Sequence, residues 1–137
     1  HRQKVLPTFV RAALKNEALP VYGDGQHARQ WLWMDDHVDA VLTLLNSDYE
    51  AGQIFHVAGS HELKNIDLAK MVLATLDKPF SLIKHIDDHD IRPGHDRRYA
   101  LDSSKIQKQF GWKAKVTPEV GISQAVRWYR DNAWWNE

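Results

Sequence analysis

Five stretches of this 137-residue chain repeat apolar side chains at helical spacing, and the segments between them leave room only for short strands. Leu6, Phe9, Val10, Ala13 and Leu14 fall at i, i+3, i+4, i+7 and i+8, one continuous apolar face. A second helix is expected from about Asp35 as N-cap, with Val38, Val41, Leu42 and Leu45 in register. A third carries Leu68, Ala69, Val72, Leu73 and Leu76 behind Asn65, which caps it or stands just outside. A short fourth has Ile106 and Phe110 after Asp102 or Ser103 and stops at Gly111 as a C′ residue. The fifth opens on Thr117-Pro118, an N-cap followed by proline in the first turn, and buries Ile122, Ala125, Val126 and Tyr129. Strands are expected at 19–22, 30–34, 54–58, 82–86 and 98–101. Separate helices with strands this short describe an α/β or α+β domain, not a full doubly wound sheet.

No repeat, low-complexity tract or block of like charge divides the chain, so residues 1–137 read as one domain. Its 18 basic and 18 acidic side chains cancel. Nucleic acid is therefore not expected as the main partner, since that binding needs a basic excess. No apolar run approaches the roughly 20 residues of a membrane helix, and no signal-peptide pattern opens the chain, so no membrane partner is expected. The absence of cysteine removes disulfides, thiolate metal sites and cysteine nucleophiles, and it fits a cytoplasmic setting. The chain starts at His1 and runs straight into an amphipathic segment. It reads as a piece of a longer protein, although a processed terminus would look the same.

Gly23-Asp24-Gly25-Gln26-His27-Ala28 matches G-x-G-x-x-A, but that fingerprint needs a helix behind it to meet a pyrophosphate. The next residues, Arg29 to Met34, are aromatic and strand-like. A glycine turn joining two short strands is the better account. Arginines then stand beside aromatics and turn residues: Tyr22 with Arg29 and Trp31, and the run Arg92-Pro93-Gly94-His95-Asp96-Arg97-Arg98-Tyr99. A guanidinium donates two parallel hydrogen bonds to phosphate, and an exposed aromatic ring offers a base a face to stack on. Together these suit a nucleoside diphosphate. On composition alone, surface ion pairs to Asp90, Asp96 and Asp102 are the simpler expectation. His85, Asp87, Asp88, His89, Asp90, His95 and Asp96 are possible metal ligands, yet they lack the spacing of a known site and read as a polar loop, so no metal is expected. No G-x-S-x-G elbow occurs, and no tyrosine is followed four residues later by lysine. Trp134 and Trp135, if exposed, would point to a neighbour outside this chain.

The order of these motifs resembles the C-terminal half of extended short-chain dehydrogenases acting on nucleotide sugars: Ala18-Leu19-Pro20-Val21-Tyr22-Gly23-Asp24-Gly25, Arg29-Gln30-Trp31-Leu32, and Asp35-Asp36-His37. The stretch Arg92 to Ala100 with Asp102, Lys105-Ile106 and Phe110-Gly111-Trp112 narrows this to the dTDP-glucose 4,6-dehydratase family. The resemblance implies an α/β substrate-binding domain from which the NAD-binding Rossmann domain, and with it the catalytic tyrosine, lysine and carboxylates, is absent. It implies that the chain alone holds no catalytic, cofactor-binding or metal-binding residues and is inactive. The whole enzyme, an NAD-dependent lyase and a homodimer by resemblance, oxidises C4 of dTDP-glucose, eliminates water across C5 and C6 and returns hydride to C6, giving dTDP-4-keto-6-deoxyglucose. Carried over by position, Lys4, Pro20 and Tyr22 are similar to a thymine pocket, with Tyr22 stacking on the base. Arg29, Asn65 and Arg92 are similar to groups holding pyrophosphate and ribose, and His95 to a position near the phosphates and sugar. The alternatives are a UDP-sugar epimerase or dehydratase of the same superfamily and a stand-alone nucleotide-binding or scaffold domain.

Three positions depart from that pattern. Gln30 stands where the family has aspartate, which removes a partner for a nearby cation. Trp33 and Met34 replace Tyr-Val and read as bulkier core residues. Ala58-Gly59-Ser60-His61 stands for Gly-Gly-His-Asn before the third helix.

Overall fold

The computed structural model of the chain describes residues 4–87 and 94–136. Helix α1 (Val5–Leu14) buries Leu6, Phe9, Val10 and Ala13, the stripe its spacing sets on one face. Strand β1 (Leu19–Tyr22) alternates strictly, with Leu19 and Val21 fully buried and Pro20 and Tyr22 half-buried on the opposite face. It is followed by β2 (Ala28–Gln30), helix α2 (Met34–Leu45), β3 (Glu62–Lys64) and α3 (Asn65–Thr75). A 3₁₀ turn (Phe80–Leu82) leads into β4 (Ile83–Ile86), and β5 (Arg98–Tyr99) precedes α4 (Ser104–Phe110) and α5 (Pro118–Asp131). Five helices with short strands make a small α/β fold.

Two sheets form, and the chain changes from one to the other at the glycine turn. β1 pairs with β4 in parallel, Leu19 opposite Ile83 and Tyr22 opposite Ile86. β2 is the centre of the second sheet, antiparallel to β3 and parallel to β5, in the order β3-β2-β5. The main core joins α1, α3, α5 and β1 through Phe9, Val10, Leu19, Val21, Leu68, Val72, Leu73 and Val126. A smaller cluster of Ala40, Ile106 and Trp112 holds α2 against α4, with Leu44, Phe55, Val57 and Phe110 packed on it. Among the described residues no helix is long and apolar enough to cross a membrane.

The helix ends depart from the sequence expectations in instructive ways. α2 begins at Met34 with Trp33 in the N-cap position, so Asp35 sits inside the first turn and accepts the Trp33 indole N–H at 3.2 Å. The neighbouring Asp36 does the anchoring. It is buried, and its Oδ2 accepts the backbone N–H groups of Lys115 at 3.0 Å and Val116 at 2.9 Å. Asn65 neither caps α3 nor stands outside it; it is the first helical residue, behind Lys64. α4 and α5 start as expected behind Ser103 and Thr117-Pro118, and Gly111 closes α4 at φ +70°. Asp102 accepts the Ser104 N–H at 2.8 Å.

The strands show two corrections. β2 lies at 28–30, ahead of the expected 30–34, because helix geometry already begins at Met34. Residues 53–58 are not assigned as a strand, although their exposure alternates with period two: Ile54 and His56 face outward while Phe55 and Val57 pack inward. β3 was not anticipated; three residues with one buried side chain give too little pattern to read. Met34 is no core residue, being 69% exposed, and Trp33 lies half-buried with its ring against Gly121. On α2 the expected apolar stripe, Val38, Val41, Leu42 and Leu45, faces outward. Gly59 marks a tight crossing: a Cβ there would stand 1.9 Å from the Trp31 carbonyl oxygen, so no larger residue fits without moving backbone.

Two substitutions test this frame by urea denaturation. Asp36→Ala should cost about 1.5–3 kcal/mol, the range for hydrogen bonds to a charged group, and Asp36→Asn clearly less, since its amide oxygen still accepts. Gly59→Ala should cost about 1–3 kcal/mol through overpacking against Trp31; an unchanged midpoint would refute the crossing.

Candidate functional site

A cavity of about 450 Å³ opens where the two sheets meet α1 and α3, lined by Lys4, Val5, Thr8, Phe9, Pro20, Tyr22, Arg29, Asn65, His95 and Tyr99. Each wall follows from local structure. Lys4 stands at the start of α1, and Thr8 lies one turn on, its N–H bonded to the Lys4 carbonyl at 3.0 Å. Pro20 and Tyr22 come from β1 because Leu19 and Val21 take the core face. Arg29 is the central residue of β2, and Asn65 is placed by its backbone N–H donating to the His27 carbonyl at 2.9 Å. His95 and Tyr99 arrive with the segment that forms β5.

The structure thus brings together six of the seven residues singled out from the sequence: Lys4, Pro20, Tyr22, Arg29, Asn65 and His95. The seventh, Arg92, lies outside the described residues, as does part of the His/Asp run from 85 to 96. Val5, Thr8, Phe9 and Tyr99 were missed. The i to i+4 step from Lys4 to Thr8 was a usable signal for α1, whereas Tyr99, within the strand expected at 98–101, enters the cavity through the pairing of β5 with β2, which local patterning does not show.

Arg29 is the best-held cation of the cavity. Its Nη1 donates to the Ala28 carbonyl at 2.7 Å and its Nη2 to the Asp96 carbonyl at 2.8 Å. Nη2 also lies 3.3 Å from His95 Nε2, and as guanidinium only donates, this contact requires the imidazole lone pair there. The His95 ring stacks on the buried His27 ring, centroids 4.2 Å apart and planes 17° off parallel. The guanidinium of Arg29 lies 4.2 Å from the centroid of Tyr99, and the Tyr99 hydroxyl donates to Asp96. Hydrogen bonding to the Asp96 carboxylate pushes the Tyr99 phenol above its ordinary value, which keeps it a donor.

The other two arginines of the run are paired with carboxylates, though not those expected. Arg97 grips Asp24 through two bonds of 2.7 Å, and Arg98 grips Glu62 through bonds of 2.7 and 2.6 Å. Asp96 instead binds Tyr99, and Asp102 serves α4. Gln30 takes up the Leu101 N–H at 2.5 Å, so this side chain ties down the chain beyond β5. Arg29 makes its described bonds to carbonyls and a histidine and holds no carboxylate among the described residues. An uncompensated guanidinium at the rim of a half-polar hollow suits an anionic ligand.

The glycine loop does not fit a dinucleotide. β2 follows it, not a helix, and Gly25 (φ +72°) approaches protein: a Cβ there would meet Val21 at 2.8 Å and Ile66 at 2.9 Å. Its second glycine therefore serves packing against α3, and the loop is braced by Asp24, which accepts the Gln26 N–H at 3.0 Å. A second, mostly apolar hollow of about 410 Å³ lies between Trp33, Gln124, Ala125, Trp128 and Tyr129. Trp128 and Trp134 beside it are 46% and 60% exposed, while Trp135 is half-buried.

A family model for GDP-mannose 4,6-dehydratase matches residues 1–125. The chain belongs to that family. Among curated relatives, the dTDP-glucose 4,6-dehydratase of Streptomyces niveus is 39% identical over 135 residues, covering 97% of this chain and 39% of that protein. Among solved structures, the dTDP-glucose 4,6-dehydratase DesIV of Streptomyces venezuelae, crystallised with NAD and a second ligand, superposes with a TM-score of 0.88 at 38% identity, covering 98% of this chain and 41% of that one. The sequence resemblance to dTDP-glucose 4,6-dehydratases is thus borne out. UDP-glucuronic acid 4-epimerase from Bacillus cereus superposes with a TM-score of 0.85 at 16% identity, over 96% of this chain and 41% of its own, a likeness of fold alone. The chain spans about two fifths of the length of these relatives.

The rim ion pair gives a direct test. Hydrogen bonds from Arg97 and then from the Gln26 N–H lower Asp24 from 3.8 to about 2. A depressed carboxylate stabilises the fold above its unfolded value and loses that contribution as pH falls towards the folded one, here between about pH 4 and 2. Carboxyl-carbon NMR should show Asp24 titrating near pH 2, and Arg97→Gln should return it towards the ordinary range. An Asp24 midpoint indifferent to that substitution would rule the pair out.

Proposed function

We propose that residues 1–137 form the nucleotide-sugar-binding domain of a dTDP-glucose 4,6-dehydratase whose NAD-binding and catalytic parts lie in a further stretch of protein. The whole enzyme converts dTDP-glucose to dTDP-4-keto-6-deoxyglucose, a lyase reaction of the cytoplasm, as a homodimer. The single observation that carries the reading is the convergence of Lys4, Tyr22, Arg29, Asn65 and His95, from five separate segments, on one cavity of about 450 Å³. That volume lies within the range of small-ligand pockets. Tyr22 and Pro20 supply a flat apolar wall for thymine. Lys4, Arg29, Asn65 and His95 supply donors for the diphosphate and ribose, and the family resemblance gives Arg92, outside the described residues, the same role.

The chain's own residues support binding and orientation of the nucleotide and nothing more. No Tyr-x-x-x-Lys is present in the sequence, and the glycine loop is filled by its own neighbours. NAD is accordingly assigned to the other part of the enzyme. The outward face of α2 supports a second part as well. Val38, Leu42 and Leu45, with Met34, leave apolar surface exposed on α2, and segment 53–58, where Ile54 is exposed too, has no strand partner among the described residues. An exposed apolar helix face and an unpaired segment are what a covering domain would bury.

Calorimetry tests the substrate class. The chain should bind dTDP more tightly than UDP, and Arg92→Ala should weaken dTDP by about 1.5–3 kcal/mol, as for charged hydrogen bonds. Equal affinity for the two nucleotides would favour a UDP-sugar enzyme. Tyr22→Ala and Arg92→Ala both leaving dTDP affinity unchanged would remove the pocket assignment. Mixed with dTDP-glucose and NAD, the chain alone should give no NAD reduction; measurable reduction defeats the division of labour. For the α2 face, Leu42→Lys with Leu45→Lys should shift stability of the isolated chain by no more than about 0.5 kcal/mol, the usual effect at exposed positions.

A further inference from the structure

We propose that Tyr99 is a positioning residue for Arg29: its ring fixes the guanidinium plane so that the remaining N–H donors are held ready for the diphosphate. The inference deepens the nucleotide reading and rests on it. Tyr99 is the register partner of Arg29 in the parallel β2–β5 pair, which sets the two side chains on the same face of the sheet. The guanidinium then lies 4.2 Å from the ring centroid, within cation–π range. Three of the five N–H groups are occupied: one on Nη1 by Ala28, both on Nη2 by Asp96 and His95. The Nε–H and the second Nη1–H carry no bond to any described residue. They lie on different edges of the guanidinium, so each can donate singly to a phosphate oxygen.

An arginine side chain has several rotatable bonds, and ordering it on binding costs free energy that preorganisation removes. The contacts at Ala28, Asp96 and His95 act along the edges of the guanidinium and leave rotation out of plane resisted mainly by the ring. The ring is held by the β2–β5 register, and the Tyr99 hydroxyl adds a bond to Asp96, whose carbonyl holds Arg29 Nη2. Tyr99 is 56% exposed, so its substitution leaves the apolar core untouched.

The test compares Tyr99→Phe and Tyr99→Leu on the full chain with three probes: dTDP, inorganic pyrophosphate and thymidine. Stacking survives in the Phe variant, which should bind all three within about threefold of the parent. The Leu variant should lose about tenfold for dTDP and for pyrophosphate and nothing for thymidine, a size consistent with a partly desolvated cation–π contact. In an Arg29→Ala background, Tyr99→Leu should add no further loss. The Arg29 Hε resonance should show the ring-current shift of a stacked guanidinium in the parent and Phe proteins and lose it in Leu. Thermal melts confirm that each variant is folded. Parent-like dTDP binding by Tyr99→Leu overturns the proposal while leaving the pocket intact. An equal loss for thymidine also overturns it, because Tyr99 would then act on the base. A parent chain that binds neither dTDP nor pyrophosphate sinks the nucleotide reading and this inference with it.

Discussion

Two rungs of parallel sheet, Ala28 opposite Arg98 and Arg29 opposite Tyr99, hold the candidate site together. They join segments about seventy residues apart, and closing so long a loop has an entropic cost that two rungs alone offset poorly. Side chains reinforce them at every step. Arg97 is tied to Asp24, Arg98 to Glu62, Tyr99 to Arg29, and the Leu101 N–H to Gln30. Each surface pair is worth little singly. Their value lies in acting on consecutive residues of one strap, which places His95 against His27 and Asp96 under Arg29.

Helices were the legible part of the fold. A stripe such as Leu6, Phe9, Val10 and Ala13 states its own geometry, and proline after Thr117 or glycine after Phe110 fixes an end through backbone conformation alone. The cavity was legible through chemistry: arginine beside aromatics, and residues that matched a family by order. What stayed hidden depends on partners distant in sequence. β3 is three residues long and exists because β2 lies beside it, whereas β5 falls inside the strand expected at 98–101 and only its pairing with β2 was hidden. The anchoring role of Asp36 over Asp35 depends on where residues 115 and 116 come to rest. Gln30, read as the loss of a cation's partner, proves to bind a backbone N–H, a role open to any acceptor of suitable length.

The outward stripe on α2 shows how periodicity is to be understood. Val38, Val41, Leu42 and Leu45 share a helical face, as their spacing requires, and that face is exposed among the described residues. A hydrophobic pattern specifies which residues share a face, and it is silent about what lies against that face. The same logic extends to residues 53–58, where the alternation of a strand is present without a ladder.

The passage of the chain from one sheet to the other at Gly23–Gly25 has a consequence for how such a site changes. Pro20 and Tyr22 belong to the β1–β4 sheet, while Arg29 and Tyr99 belong to the β3-β2-β5 sheet. The wall suited to a ring and the wall suited to charge are therefore separate mechanical units sharing a glycine joint. Mutation can remodel one without disturbing the register of the other, so a scaffold built this way can reshape its flat wall while keeping its charged one.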